Sequence, residues 1–250
     1  LGVRDTAMML ELIGAMLDAG AGLGRALALV AELATPELRG PLRPVVAALA
    51  KAVGVLVPEA RLVRVEDTIA ARDGQGMLGY AVSVSTAGRT TADVLDSLRA
   101  RGGRNFDART YLRERLFDTS LGTVDDSPDQ WRWSRTGPDG RWTPEPRGRE
   151  RAFAKYDGVL AGLARGTIPA FVNFGEGYQE QLGVMAYQRT LDRQLLSLLD
   201  WPVWDSVTSE FEAALTDSVI AAAVAQLPPE YLAGGASFLA AGLRARRDLL

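Results

Sequence analysis

Two short acidic segments carry the residues best suited to chemistry. Asp125 follows a predicted helix, and Glu150 follows a predicted β-hairpin. A carboxylate at the first position can accept the proton of a hydroxyl nucleophile. A carboxylate at the second can hold magnesium between nucleotide phosphates, because hard cations prefer oxygen ligands. The hairpin between the two segments is expected to bring them together, which is a layout suited to phosphoryl transfer.

The residue types that are missing exclude several classes of catalytic mechanism and metal site. The chain has no Cys and no His, and its only lysines are Lys51 and Lys155. Thiol nucleophiles, thiolate metal sites, disulfides and every His-dependent mechanism are therefore excluded within this sequence. Any catalysis must use carboxylates, hydroxyls, Lys or Arg, together with a hard metal such as magnesium.

Composition and charge are those of an ordinary globular protein. The 250 residues are 47% apolar and 24% charged, with a net charge of −3. Nucleic acid is not expected as a partner, because phosphate binding needs clustered cations. The apolar stretch at 7–33 is interrupted by charges and lacks a basic leader, so we expect neither a membrane span nor a signal peptide there. The compartment and the oligomeric state do not follow from the sequence.

The periodicity predicts an α+β fold that is predominantly helical and contains one small hairpin at about 131–146. Thr91 and Asp107 are predicted helix N-caps, as is Thr216. Pro228–Pro229 is expected to end a helix, Pro36–Pro41 to form a turn, 61–65 a strand and 73–79 a loop. The predicted helices are 5–34 with a break at 20–22, 43–53, 91–99, 108–121, 155–165, 192–199, one starting at 201, one starting after 216, and 236–250.

Three tryptophans belong to the predicted hairpin. Trp131 and Trp133 alternate with polar residues, and Trp142 follows the turn signal at 137–140. These rings could line a ligand pocket. Core packing of the hairpin onto neighbouring helices is the favoured interpretation.

The segment 107–153 resembles a bacterial kinase-like family that is related in motif layout to the spore-coat CotH kinases, to HipA and to the secreted Golgi kinases. The family pattern has a helix ending in LFD, a GDWDRH loop, DQWRW, a hairpin and PRDRDQAF. The similarity covers roughly 55–250 and is weak before about residue 90. The matching residues are Leu116, Phe117, Asp118, Gly122, Asp125, Asp129, Gln130, Trp131, Arg132, Trp133, Pro146, Arg147, Arg149, Ala152 and Phe153, with further matches at 215–217, 228–230 and 246–248.

The resemblance implies ATP and Mg²⁺ as cofactors, but this chain departs from the pattern at its chemical centre. Asp125 corresponds to the catalytic Asp, whereas Thr123 replaces the preceding motif Asp. Gly148 stands where the magnesium-binding Asp is expected, which leaves Glu150 and Asp129 as the candidate metal ligands. Glu150 is one methylene longer than Asp, and magnesium demands near-ideal octahedral geometry. Impaired or absent phosphotransfer is therefore expected.

A kinase of this class also needs a nucleotide-binding lobe with a strand-borne Lys. Lys51 lies in a predicted helix instead. We therefore expect an N-terminal helical segment at 1–57 and a degenerate kinase-like domain at 58–250, or one continuous domain spanning both.

Simpler interpretations compete with the catalytic ones. Asp125 can be a solvated turn residue before Pro128, and Glu150 can pair with Arg149, Arg151 or Arg113 instead of binding metal. Residues 10–33 also resemble the first helical hairpin of the type II secretion system F family, which implies a membrane-associated assembly. The alternatives to a kinase-like domain are thus a non-catalytic helical interaction module and a secretion-machinery fragment.

Overall fold

The chain is described by a computed structural model, and the description covers most of its second half. The described residues are 36–56, 60–65, 77–82, 88–101, 105–123, 131–135, 137, 140–146, 149, 152–155, 173–178 and 188–250. The helix predicted at 5–34 lies outside these ranges, as do all residues after Lys155 of the helix predicted at 155–165.

The described residues form a predominantly helical α+β fold, as predicted. Its strands make two antiparallel two-stranded sheets, β1 with β2 and β3 with β4. The helices are α1 Pro36–Val53, α2 Thr91–Arg101, α3 Ala108–Leu121, α4 Arg189–Leu196, α5 Trp201–Ala214, α6 Asp217–Val224 and α7 Pro229–Arg247. The strands are β1 Ala60–Val65, β2 Met77–Val82, β3 Trp131–Ser134 and β4 Thr143–Pro146.

Two apolar clusters share helix α3. Phe117 and Leu121, at its end, join a cluster with α1, α5, α6 and α7. Ala108 and Tyr111, at its start, join an aromatic cluster with the β3–β4 hairpin, α2 and α4. Most of α3 is therefore buried, including charged side chains that make it look like a surface helix in the sequence.

The β3–β4 hairpin is confirmed and is pinned on both sides by backbone hydrogen bonds. Trp133 exchanges N–H···O bonds with Arg89, at 2.8 and 3.1 Å, just before α2. Trp142 N–H donates to Asn105 O at 2.8 Å, and its own carbonyl accepts from Asp107 N–H at 2.9 Å. The hairpin thus occupies a fixed place between the starts of α2 and α3.

The β1–β2 sheet corrects the loop that was predicted at 73–79. The strand predicted at 61–65 is present as β1, and it pairs with β2 from Ala60↔Val82 to Val65↔Met77. Residues 77–79, which were predicted to be loop, belong to β2, so the glycine-based prediction was wrong for them. Gly79 is paired with Val63 inside the ladder. Residues 73–76 lie outside the described part of the chain.

Two of the three predicted caps are confirmed. Asp107 accepts from Thr110 N–H at 3.0 Å, and Thr216 accepts from Val219 N–H at 3.2 Å. The cap of α2 is Thr90 rather than Thr91, because Thr90 Oγ1 accepts from the N–H of Asp93. The Asp93 carboxylate in turn accepts from Thr90 N–H, which is the reciprocal pattern of a capping box. That hydrogen bonding lowers the pKa of Asp93.

Proline positions account for two errors at helix ends. The predicted turn at 36–41 is helical, with Pro36 as the first residue of α1, where a missing N–H costs nothing. Pro229 likewise begins α7 rather than ending the preceding helix, so α7 starts seven residues before the predicted Ala236. Proline at a first helical turn and proline after a helix give the same sequence signal.

Two other helix predictions need correction. The helix predicted at 192–199 runs instead from Arg189 to Leu196. Lys155, the first residue of another predicted helix, is not helical. In the part of the chain that the structure describes, none of the helices combines the length and apolar character required to span a bilayer.

Candidate functional site

The residues predicted to carry chemistry lie in two segments outside the described ranges. Asp125 and Asp129 fall in 124–130, and Gly148 and Glu150 fall beside Arg149 in 147–151. Their roles remain predictions. The structure instead defines the scaffold from which both segments leave.

The two segments leave the same end of the hairpin. Trp131 and Pro146 are direct partners across the β3–β4 ladder. The acidic segment enters the hairpin at Trp131, and the segment with Glu150 leaves it after Pro146. Directly opposed antiparallel residues have Cα atoms about 5 Å apart, so the two segments begin side by side. The expectation that the hairpin brings the two loops together stays a prediction beyond Trp131 and Pro146, because Asp125 and Glu150 lie outside the described residues.

The other end of the acidic segment is set by the end of α3. Gly122 adopts a left-handed conformation, φ 68°, and its N–H bonds back to the carbonyls of Asp118 and Thr119. Thr123 N–H also bonds to Asp118 O, at 2.9 Å. This double closure is a Schellman-type termination, which favours glycine because positive φ is strained for other residues. It directs the chain out of α3 into the acidic segment.

Arg149 ties the post-hairpin segment to α3 through its buried side chain. Its Nε donates to Asp118 Oδ1 at 2.6 Å, and its Nη2 donates to the Glu114 carboxylate. Its Nη1 donates to the carbonyl oxygen of Leu56 at 2.9 Å. The guanidinium also lies 4.7 Å from the ring centroid of Phe117. Arg149 therefore joins three segments that are far apart in the sequence.

A second guanidinium extends this network toward α4. Arg115 donates from Nε and Nη2 to the carboxylate of Asp192, at 2.9 and 3.2 Å. Arg115 Nη1 lies 3.6 Å from Asp118 Oδ2, and Tyr111 donates its hydroxyl to Asp192 at 2.8 Å. We call Glu114, Arg115, Asp118, Arg149 and Asp192 the charge cluster.

The charge cluster holds more negative than positive formal charge. Two guanidiniums face three carboxylates, and the side chains of Glu114 and Asp118 are 0% and 2% exposed. Burial raises the pKa of Glu114 to about 7, and Arg149 offsets only part of that effect. Burial also raises the pKa of Tyr111, reinforced by Asp192. The carboxylates of Asp118 and Glu114 overcome the effect of burial on Arg149 and raise its pKa.

The residues at 173–178 are held by a buried arginine of α7. Arg246 Nε donates to Gly175 O at 2.7 Å, and its Nη1 donates to Thr119 O, at the end of α3, at 2.9 Å. Its guanidinium stacks on the rings of Phe174 and Tyr178, with centroids at 4.6 and 5.2 Å. Burial lowers the pKa of Arg246 and raises that of Tyr178 to about 12. Gly175 and Gly177 of this segment thus direct their carbonyl oxygens at a cation.

The tryptophans are core residues, as favoured from the sequence. Trp131 and Trp133 are 1% and 0% exposed and pack with Tyr111 and Phe106 at centroid distances of 4.7 to 6.1 Å. Trp142 is buried beside them. They hold the hairpin against α3 and do not line an open pocket.

The sequence suggested Arg149, Arg151 and Arg113 as ion-pair partners of Glu150. Two of these arginines pair with other carboxylates. Arg149 pairs with Glu114 and Asp118, and Arg113 pairs with Glu210 on α5. Among the described residues there is no group of three or more acidic side chains arranged to hold a metal ion. A magnesium site on the two acidic segments therefore stays a prediction.

The sequence reasoning gave no buried contact to Glu114, Arg115, Asp192 or Arg246. One available signal was the i, i+4 spacing of Glu114 and Asp118, which places both carboxylates on one face of α3. Phe117 and Leu121 are buried apolar residues of the same helix. No local pattern identified Asp192 or Arg246, because their partners lie 77 and 127 residues away.

No protein-family model, curated protein or solved structure matches the chain. The kinase-like resemblance therefore depends on the motif residues alone.

Proposed function

We propose that this chain is a kinase-like domain with impaired or lost phosphotransfer, in which a residual Mg²⁺–ATP site would lie between the two acidic segments. Asp125 would take the role of proton acceptor. Glu150 and Asp129 would hold the metal.

The Trp131–Pro146 pairing carries the proposal. It brings the hairpin ends of the two segments side by side, which phosphoryl transfer requires if one segment supplies the base and the other the metal ligand. Arg149 strengthens the argument, because it anchors the second segment to Asp118, only five residues before Thr123. Both segments are thereby tied to the last turns of α3.

The expected impairment of phosphotransfer follows from the residue types at the proposed site. Gly148 has no side chain at the position of the expected magnesium ligand, and a longer carboxylate follows it. Neither β1 nor β2 contains a lysine that could pair with nucleotide phosphates. Binding weaker than that of an active kinase is therefore expected, with slow or absent phosphotransfer.

Thermal unfolding with and without millimolar MgATP tests the proposal. A ligand that binds only the folded state at 100 times its Kd adds about 2.7 kcal/mol, or a rise in Tm of roughly 5–10 °C for a chain of this size. Asp125→Ala and Glu150→Ala should abolish the rise. Asp205→Ala, which removes an exposed carboxylate from α5, should keep it.

The variant Gly148→Asp then tests whether this position is a lost magnesium ligand of a kinase-like site. Restoring the ligand should tighten MgATP binding and increase ATP turnover. A chain that shows no magnesium-dependent shift in either form would contradict the proposal.

Trp201 supports a second candidate function, that of a non-catalytic interaction module. This large aromatic side chain is 77% exposed at the start of α5, and Leu198, three residues before it, is 46% exposed. Trp is enriched at protein interfaces, because its large ring is apolar and its indole N–H can find a hydrogen-bond partner there. Trp201→Ser should leave the unfolding free energy unchanged while weakening any association seen by sedimentation velocity, and unaltered association would exclude this surface.

A further inference from the structure

Phe153 holds a backbone conformation that residues other than glycine rarely adopt. Its φ is 61°, and it is the one non-glycine residue with a positive φ in the part of the chain that the structure describes. This left-handed region is strained for a bulky side chain, and such strain persists only where the surroundings impose it. The Phe153 ring is buried and packs edge-on against Phe174, at a centroid distance of 4.9 Å. The Phe174 N–H also donates to Ala154 O at 2.7 Å, which fixes the chain just after the strained residue.

The backbone of Phe153 completes the C-terminal end of α3. The last four carbonyls of a helix have no partner within it. In α3, the outgoing chain and the side chain of Arg246 bond to the first three of these carbonyls, at 118–120. The fourth, Leu121 O, accepts from the Phe153 N–H at 2.9 Å. The strained residue is therefore fixed to the helix end from which the acidic segment leaves.

The two acidic segments consequently share both of their end points. At one end they are joined by the pairing of β3 with β4. At the other, the segment 124–130 starts just after α3, and the segment 147–151 leads to Phe153, which is bonded to Leu121. Two segments joined at one end only can diverge at the other, whereas the Phe153 bond fixes the second end as well.

We propose that Phe153 is a positioning residue for the candidate magnesium site. Its left-handed turn fixes the segment that carries Glu150 to the end of α3, where the segment that carries Asp125 begins. Magnesium tolerates little departure from octahedral geometry, so ligands from two segments need both segments held in place. This role rests on the proposed function, because the metal and the nucleotide are those of that proposal.

The variants Phe153→Gly and Phe153→Ala test the backbone conformation by itself. Both lose the same ring, but alanine is strained at a positive φ and glycine is not. Phe153→Gly should therefore have the higher urea midpoint, by about 0.3 M. The reference pair Phe117→Gly and Phe117→Ala, inside α3, should show the opposite order, because glycine is unfavourable in a helix. A higher midpoint for Phe153→Ala than for Phe153→Gly would overturn the strained turn.

The affinity of the same two variants for MgATP tests the positioning role. Calorimetric titration of the folded variants should give a Kd about tenfold higher for Phe153→Ala than for Phe153→Gly, which is the scale of changes made just outside the ligands of a metal. Phe211→Leu, which removes packing from α5 in the same core, controls for lost stability and should keep the affinity of the unmutated chain. Equal affinities of the two Phe153 variants would refute the positioning role and leave the proposed function standing. Absence of binding by the unmutated chain would refute the proposed function, and the role of Phe153 with it.

A measurement on the unmutated chain covers the case in which loss of the ring prevents folding. Amide hydrogen exchange of Phe153 reports its bond to Leu121 O, and its protection factor should rise about tenfold with MgATP at ten times its Kd. The Trp142 amide, which bonds to Asn105 O at the turn end of the hairpin, is the internal reference and should rise less. A Phe153 protection factor that rises no more than that of Trp142 would contradict the positioning role.

Discussion

The indole N–H of Trp133 donates to the hydroxyl of Thr91 at 3.1 Å, inside the aromatic cluster. This bond connects the centre of β3 to the first residue of α2, across 42 positions of the sequence. It also explains why Thr91 does not cap its own helix, since its hydroxyl is engaged with the hairpin and the neighbouring Thr90 provides the cap.

A double-mutant cycle should detect this bond. Trp133→Phe and Thr91→Val each remove one partner, and their coupling should be about 1 kcal/mol in unfolding free energy. Trp131 provides the matched control, because its buried indole nitrogen has no hydrogen-bond partner among the described residues. Trp131→Phe and Thr91→Val should therefore be additive. Equal coupling in the two cycles would show that packing, not the hydrogen bond, links the residues.

Gly242 is predicted to be essential for packing within α7. A Cβ at this position would lie 2.6 Å from Cε1 and 2.8 Å from Cζ of Phe174, a ring already packed against Phe153. Gly242→Ala should lower the unfolding free energy by about 1–3 kcal/mol in urea denaturation, because the crowded core must shift. Gly234→Ala is the control in the same helix, where a Cβ meets nothing within 4 Å. It should stabilise by about 0.5–1 kcal/mol, and two losses of equal size would argue against the contact.

Arg246→Met should destabilise the fold more than a surface change on the same helix. It leaves the buried carbonyls that now accept from the guanidinium, such as Gly175 O and Thr119 O, without their donor. The expected loss is on the order of 3 kcal/mol in unfolding free energy. Arg244→Met, which affects a half-exposed side chain near Asp217, should cost less than about 1 kcal/mol. Similar losses in both variants would contradict the role given to Arg246.

Global stability should decrease as the pH rises through neutrality. The folded chain holds the Glu114 proton more tightly than the unfolded chain, so this contribution is fully present below about pH 4.5 and is lost as the pH passes about 7. The unfolding free energy from urea titrations should fall by about 2 kcal/mol between pH 5 and pH 8. The chain has no His or Cys, so no side chain with an ordinary pKa titrates in the middle of this interval.

The control for this pH effect is Glu114→Gln, whose unfolding free energy should be nearly flat over the same interval. A fall equal to that of the unmutated chain would assign the effect to another group.

Local patterns in the sequence were sufficient for several elements. Asp107 and Thr216 were recognised as caps because their hydrogen bonds reach only three residues along the chain. The β3–β4 hairpin was recognised because alternating tryptophans and a turn signal lie within 16 residues. The prolines at 36 and 229 misled the prediction, because a proline can begin one helix or follow another with the same local sequence.

The sequence by itself determined the chemistry that is available: no thiol, no imidazole, carboxylates on two segments and a mostly helical α+β chain with one aromatic hairpin. Only the tertiary structure decided where the buried charges lie. Arg149 reaches Glu114 across 35 positions and Leu56 across 93, and Arg246 reaches Thr119 across 127. Such contacts depend on which helix faces meet, and they carry no periodic signal of their own. A helix that contains Glu114, Arg115 and Asp118 resembles a solvated surface helix until its partners enclose it.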